Sequence, residues 1–94
     1  MIYTIIDIRI QSSDALVPLF LIASFTYYHR SRSIMSDESF DYLVSRLRSE
    51  WSEITHTYKH VIKEENLQTD SGFNIDYPPD IVQEAEALMK EFPQ

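Results

Sequence analysis

His56 and His60 stand four residues apart, with Glu53 one turn ahead of them. On a helix the three share a face, and two imidazoles with one carboxylate can hold zinc. The stretch His-Thr-Tyr-Lys-His lacks the glutamate that serves as hydrolytic base in H-E-x-x-H, and Lys59 sets a positive charge beside the pair. The expectation is two exposed helix histidines and no metal site. No serine stands in G-x-S-x-G, and a chain whose single glycine is Gly72 cannot build that elbow. The same scarcity excludes G-x-G-x-x-G and Walker-type phosphate loops. Without cysteine there is no thiolate nucleophile, Fe–S cluster, Cys-based zinc site or disulfide framework. No catalytic residue is assigned, and the chain is expected not to be an enzyme.

Carboxylates are plentiful, and their placement is uneven. Acidic and basic side chains cancel over residues 1–30 and again over 31–63. Residues 64–94 carry Glu64, Glu65, Asp70, Asp76, Asp80, Glu84, Glu86 and Glu91 against Lys90 alone, so the last third holds the whole net charge of −7. Such a field repels nucleic acid, whose binding needs Lys and Arg. It attracts a basic protein surface, including one shaped to hold DNA. The plainer reading is a solvated helix face that keeps a small protein soluble.

Residues 25–47 differ from the rest. They read Phe-Thr-Tyr-Tyr-His, then Arg-Ser-Arg-Ser-Ile-Met, then Ser-Asp-Glu-Ser-Phe-Asp-Tyr-Leu before Leu47. This run resembles the N-terminal nicotinamide-recognising (Ia) domain of NAD-dependent DNA ligases. The likeness runs without a gap from Tyr27 to Leu47, within a ligase-like segment of about 19–53. It implies a nicotinamide mononucleotide or NAD ligand, with Tyr27, Tyr28, Asp37, Phe40 and Asp41 on the contacting positions. Aromatic rings can stack on a cationic pyridinium. Two carboxylates four apart on one helix face can accept hydrogen bonds from ribose hydroxyls. Phe40 stands where the family has tyrosine, and Arg30, Ser31 and Arg32 replace its usual Asp and Pro. None of Lys59, Lys63 and Lys90 begins the K-x-D-G of ligase adenylylation, so ligase activity is not expected.

Small stand-alone proteins with this resemblance occur in bacteriophages. Together with the acidic tail, this gives the leading expectation: a phage-type inhibitor that binds a basic host protein. Its acidic surface would imitate DNA, as in antirestriction, and act in the host cytoplasm without a cofactor. The second expectation is a nicotinamide-nucleotide-binding module. The third is a dimeric accessory protein with no charge-based target.

These residues need elements to hold them. Ninety-four residues, 44% of them apolar, suffice for one domain with one packed core. Residues 2–10 alternate, with Ile2, Thr4, Ile6, Ile8 and Ile10 on one side, and predict a strand. Asp14 is the expected N-cap of a helix to about Arg30, with Pro18 in its first turn. That helix is apolar nearly all round, which points to a central core helix or a homodimer interface. It is too short for a membrane span, and no basic segment precedes it as in a signal peptide. Ser36 caps an amphipathic helix through Phe40, Leu43, Leu47, Trp51, Ile54, Tyr58 and Val61, running to Glu65 or breaking near Thr55–Thr57. Residues 67–72 predict a turn and 73–77 a second strand paired with the first. Asp80, with Gln83 at the capping-box position, caps the last helix. The fold class expected is α+β: a helical hairpin and a C-terminal helix packed with a two-stranded sheet.

Overall fold

The computed structural model describes residues 3–62 and 75–91. Among the described residues the α-helices are α1 (Ile5–Arg9), α2 (Leu16–Arg30), α3 (Asp37–Ser49) and α4 (Pro79–Glu91). Two 3-10 turns, Trp51–Glu53 and Thr57–Val61, follow α3. No strand occurs among the described residues, and the expected two-stranded sheet is absent from them.

The first expected strand fails for a local reason. Thr4 caps α1: its hydroxyl accepts from the Asp7 N–H, and the Asp7 carboxylate accepts from the Thr4 N–H at 2.9 Å. This reciprocal pair satisfies free donors at a helix start. Nine residues rich in isoleucine fit a period of two and a period of 3.6 alike, and the cap decides between them. Ile8 is thereby fully buried, while Ile6 and Ile10 are turned out to solvent. Extended geometry survives ahead of α1: Thr4 is extended, and Tyr3 forms one parallel bridge with Met35 through Tyr3 N–H to the Ile34 carbonyl at 2.8 Å.

Of the second expected strand, Phe73 and Asn74 lie outside the described residues, as does the turn at 67–72. Ile75, Asp76 and Tyr77 are irregular. Pro78 and Pro79 follow at once, and neither has an N–H to give a ladder. Pro79 instead opens α4, where its missing N–H costs nothing. The Pro78 carbonyl accepts from the N–H groups of Ile81 and Val82. Asp80 therefore lies in the first turn of α4, one place beyond the residue that opens it. Its carboxylate accepts the Tyr58 hydroxyl at 2.6 Å.

α2 is the centre of the core. It buries Leu16, Val17, Leu19, Phe20, Leu21, Ala23, Ser24, Phe25 and Thr26, with α3 and α4 packed against it and Thr57–Val61 alongside. The all-round apolar character is thus used within one chain. Its start differs from the expected one. Ala15, not Asp14, is the capping position, and it makes no side-chain cap bond. The Asp14 carboxylate accepts from the N–H and hydroxyl of Thr55, at 2.9 and 3.0 Å. At the other end Ser31 takes the left-handed conformation (φ 54°, ψ 36°), and its N–H and that of Arg32 turn back to the Thr26 carbonyl.

α3 starts as expected, with the Ser36 hydroxyl accepting from the Ser39 N–H. It stops at Ser49, earlier than expected. Tight 3-10 turns take over, and through them Ile54 and Ile62 still reach the core. The apolar periodicity survived the end of the helix and hid it.

Candidate functional site at the mouth of the helical hairpin

α2 and α3 form an antiparallel hairpin, and a cleft of about 360 Å³ opens where their connection turns. Ala23, Tyr27 and Tyr28 come from α2, Ser33, Ile34 and Met35 from the connection, and Asp37, Phe40 and Asp41 from α3. All five residues that the ligase resemblance names line this one cleft. α2 contributes positions four and five residues apart, one turn of one face. α3 contributes its first turn and a half, which the Ser36 cap aims at the turn of the chain.

The base of the cleft is buried and the rim is exposed. Ala23, Ile34 and Met35 are buried. Phe40 is half-buried and stacks on the fully buried Phe20, with centroids 5.7 Å apart and planes 24° apart. Tyr27 and Tyr28 meet edge to face at 4.9 Å, and Tyr27 keeps 52% of its surface exposed. Asp37 and Asp41 are exposed. The arrangement offers aromatic faces to a flat ring and two carboxylate acceptors to hydroxyls or a cation.

Arg30 belongs to the other side of α2. Its guanidinium lies 4.8 Å over the Phe25 ring and bonds Glu86 of α4 at 2.8 Å. Phe25, His29 and Tyr77 gather beneath it as an aromatic cluster. Burial there pushes the Tyr77 phenol above its usual range.

Sequence reading missed Ala23, Ser33, Ile34 and Met35 as lining residues. One signal was available. Between the helix ending near Arg30 and the Ser36 cap the chain carries the adjacent apolar pair Ile34 and Met35, and both are buried. The Tyr3 bridge holds that pair in place, and no local pattern announces a contact across some thirty residues.

The remaining candidates are dispersed. Glu64, Glu65 and Asp70 lie outside the described residues. Asp76, Asp80, Glu84, Glu86 and Glu91 are all exposed, with Asp80 tied to Tyr58 and Glu86 to Arg30. His56 and His60 do not share an α-helical face, because 57–61 is a 3-10 turn. His56 Nδ1 accepts from the Tyr58 N–H, and His60 Nδ1 lies 2.6 Å from the Thr57 carbonyl. Among the described residues no group of three His, Asp or Glu could hold a metal ion, and no helix is long and apolar enough to cross a membrane. Compared with known proteins, the chain matches no family model, no curated protein and no solved structure.

Proposed function

We propose that the chain is a non-enzymatic nicotinamide-nucleotide-binding module, with the hairpin cleft as its site. One observation carries this reading: Tyr27, Tyr28, Asp37, Phe40 and Asp41, named from a sequence resemblance, line a single cleft. Its volume falls at the small end of the range for ligand sites, about 300–1,000 Å³. That suits one nucleoside or mononucleotide rather than a whole dinucleotide. The aromatic side chains stack on the nicotinamide ring, and Asp37 and Asp41 accept the ribose hydroxyls.

Titration calorimetry with nicotinamide mononucleotide tests the reading. Binding is expected in the wild type. Asp37→Ala and Asp41→Ala should each lose about 1.5–3 kcal/mol, the worth of a hydrogen bond to a charged group. That is about 10- to 150-fold in affinity. Both positions are exposed, so the fold should survive either change. A wild type that gives no heat with millimolar ligand would sink the proposal.

A second reading keeps the acidic tail as a surface that docks on a basic host protein and inhibits it. It is favoured by the exposure of all five tail carboxylates that fall on described residues. Glu86 is the weakest contributor, since Arg30 already neutralises it. In this reading association with the partner slows as salt rises. Glu84→Lys should slow it further with little change in stability. An association rate indifferent to both would rule the surface out.

A further inference from the structure

The stretch that forms α1 is held in a shape its own sequence does not favour. Thr4, Ile6, Ile8 and Ile10 alternate with Tyr3, Ile5, Asp7 and Arg9, and β-branched residues favour extended backbone. α1 is only five residues long, and a helix that short does not persist unaided. Three features hold it. Thr4 and Asp7 cap its start, and Ile8 is seated in the core with no exposed surface. Arg46 of α3 donates to the carbonyls of Ile8 and Gln11 at 2.8 and 3.0 Å. The helical form leaves Ile6 and Ile10 69% and 73% exposed. As a strand the same residues are self-complementary. Laid antiparallel on a second copy, with Ile8 opposite Ile8, the segment sets Ile6 opposite Ile10 and Asp7 opposite Arg9, each twice by symmetry. One face is then all isoleucine. The other carries two opposite-charge pairs, which stabilise a sheet, whereas like charges destabilise it. In-register parallel pairing sets Asp7 on Asp7 and Arg9 on Arg9. An antiparallel slip of two residues sets one like pair at the centre, and a slip of one mixes the two faces.

We propose that residues 5–11 are a self-recognition segment masked as a helix: when the Arg46 clasp opens, two copies of the chain pair through it, antiparallel about Ile8. The second copy supplies the partner strand that the monomer lacks. Growth stops at two copies. A third strand would set its globule on the same side as the first, about 10 Å away, which is two strand spacings. A molecule spanning 35 × 28 × 22 Å does not fit there. A two-stranded ribbon is marginal by itself, so the pairing belongs to submillimolar rather than nanomolar concentrations.

Sedimentation equilibrium and amide I infrared spectra of the full chain, from micromolar to submillimolar concentration, give the test. The wild type should stay monomeric. Arg46→Lys keeps the charge and breaks the fork. It should dimerise, with an antiparallel β band that grows with the dimer fraction. Adding either Asp7→Arg or Arg9→Asp to Arg46→Lys sets like charges opposite each other and should weaken the dimer about tenfold. An equimolar mixture of those two charge variants should restore it, because each charge again faces its opposite. If Arg46→Lys fails to fold, Glu50→Gln takes its place, since Glu50 holds the other two guanidinium nitrogens. A folded variant with the clasp opened that stays monomeric overturns the proposal. So does a dimer without the β band, or one that neither charge variant weakens. A wild type that dimerises as readily as the variant overturns it too, because Arg46 would then mask nothing.

Discussion

Ser31 is the residue where the hairpin turns, and it turns at a cost. Its φ of 54° lies in the left-handed region, which disfavours any residue with a Cβ by roughly 1–2 kcal/mol. Glycine is the usual occupant at such a helix end. Ser31→Gly should therefore stabilise the fold by about 0.5–1 kcal/mol, once glycine's greater freedom in the unfolded chain is subtracted. The measurement is the urea midpoint at unchanged slope. A lower midpoint would mean that the serine hydroxyl contributes more than the backbone loses. Asp14 and Asp80 teach a related lesson. Both are helix-start residue types next to a helix start, and both spend their carboxylates on a distant partner, Thr55 and Tyr58. The bonds from Thr55 hold the Asp14 carboxyl below its usual range, and the bond to Asp80 raises the Tyr58 phenol above its own.

At the scale of elements, α1 is five residues long, too short to persist alone. Arg46 of α3 attaches it. One guanidinium nitrogen donates to the carbonyls of Ile8 and Gln11 at 2.8 and 3.0 Å, where α1 ends. The other two bond both oxygens of Glu50, which also accepts the Ser13 hydroxyl. Lysine cannot reproduce this fork. Arg46→Lys should cost about 2–3 kcal/mol, read as a lower urea midpoint, with amide exchange at residues 5–10 accelerated most. The same cluster is acid-sensitive. Hydrogen bonds from Arg46, then Ser13, hold the Glu50 carboxyl below its usual 4.5. Its stabilisation is complete above that value, where the unfolded chain is also ionised, and is lost as pH falls through the lower folded pKa. Urea midpoints should thus decline below pH 4.5, and Arg46→Lys should flatten the decline. An unchanged acid limb in that variant would place the sensitivity at Asp14 instead.

For the whole molecule the deciding feature is α2. Its apolar circumference suggested a second copy of the chain, but α3, α4 and the Thr57–Val61 turn cover it. Leu16, Val17, Phe20 and Leu21 show no exposed surface at all. The reason for expecting a homodimer through this helix is met inside the monomer. Sedimentation at micromolar concentration should give one species of 11.1 kDa. A heavier species would have to use a surface other than α2. Phe20 also links the core to the cleft, since its ring supports Phe40 there. Phe20→Ala should cost about 3–5 kcal/mol, a large share of what a domain this size has.

That two helices flank the Ser36 cap was legible because apolar spacing and the cap agree locally, while the start of the first and the end of the second were not. Tyr27, Tyr28, Asp37, Phe40 and Asp41 were named by the resemblance alone; that they line one cleft follows from their place on two helices joined by a short connection. What residues 3–10 would become was not legible. An alternating isoleucine pattern specifies a strand only if a partner strand exists, and Pro78 and Pro79 end the only candidate after three described residues. Without that partner the Thr4–Asp7 cap and the Arg46 guanidinium, 35 to 38 residues away from the carbonyls it holds, set the segment as helix. Tertiary contacts likewise assigned the loose carboxylates. That Glu86 pairs with Arg30 and Asp80 with Tyr58 depends on how α4 lies against α2 and the Thr57–Val61 turn, and no local pattern encodes that.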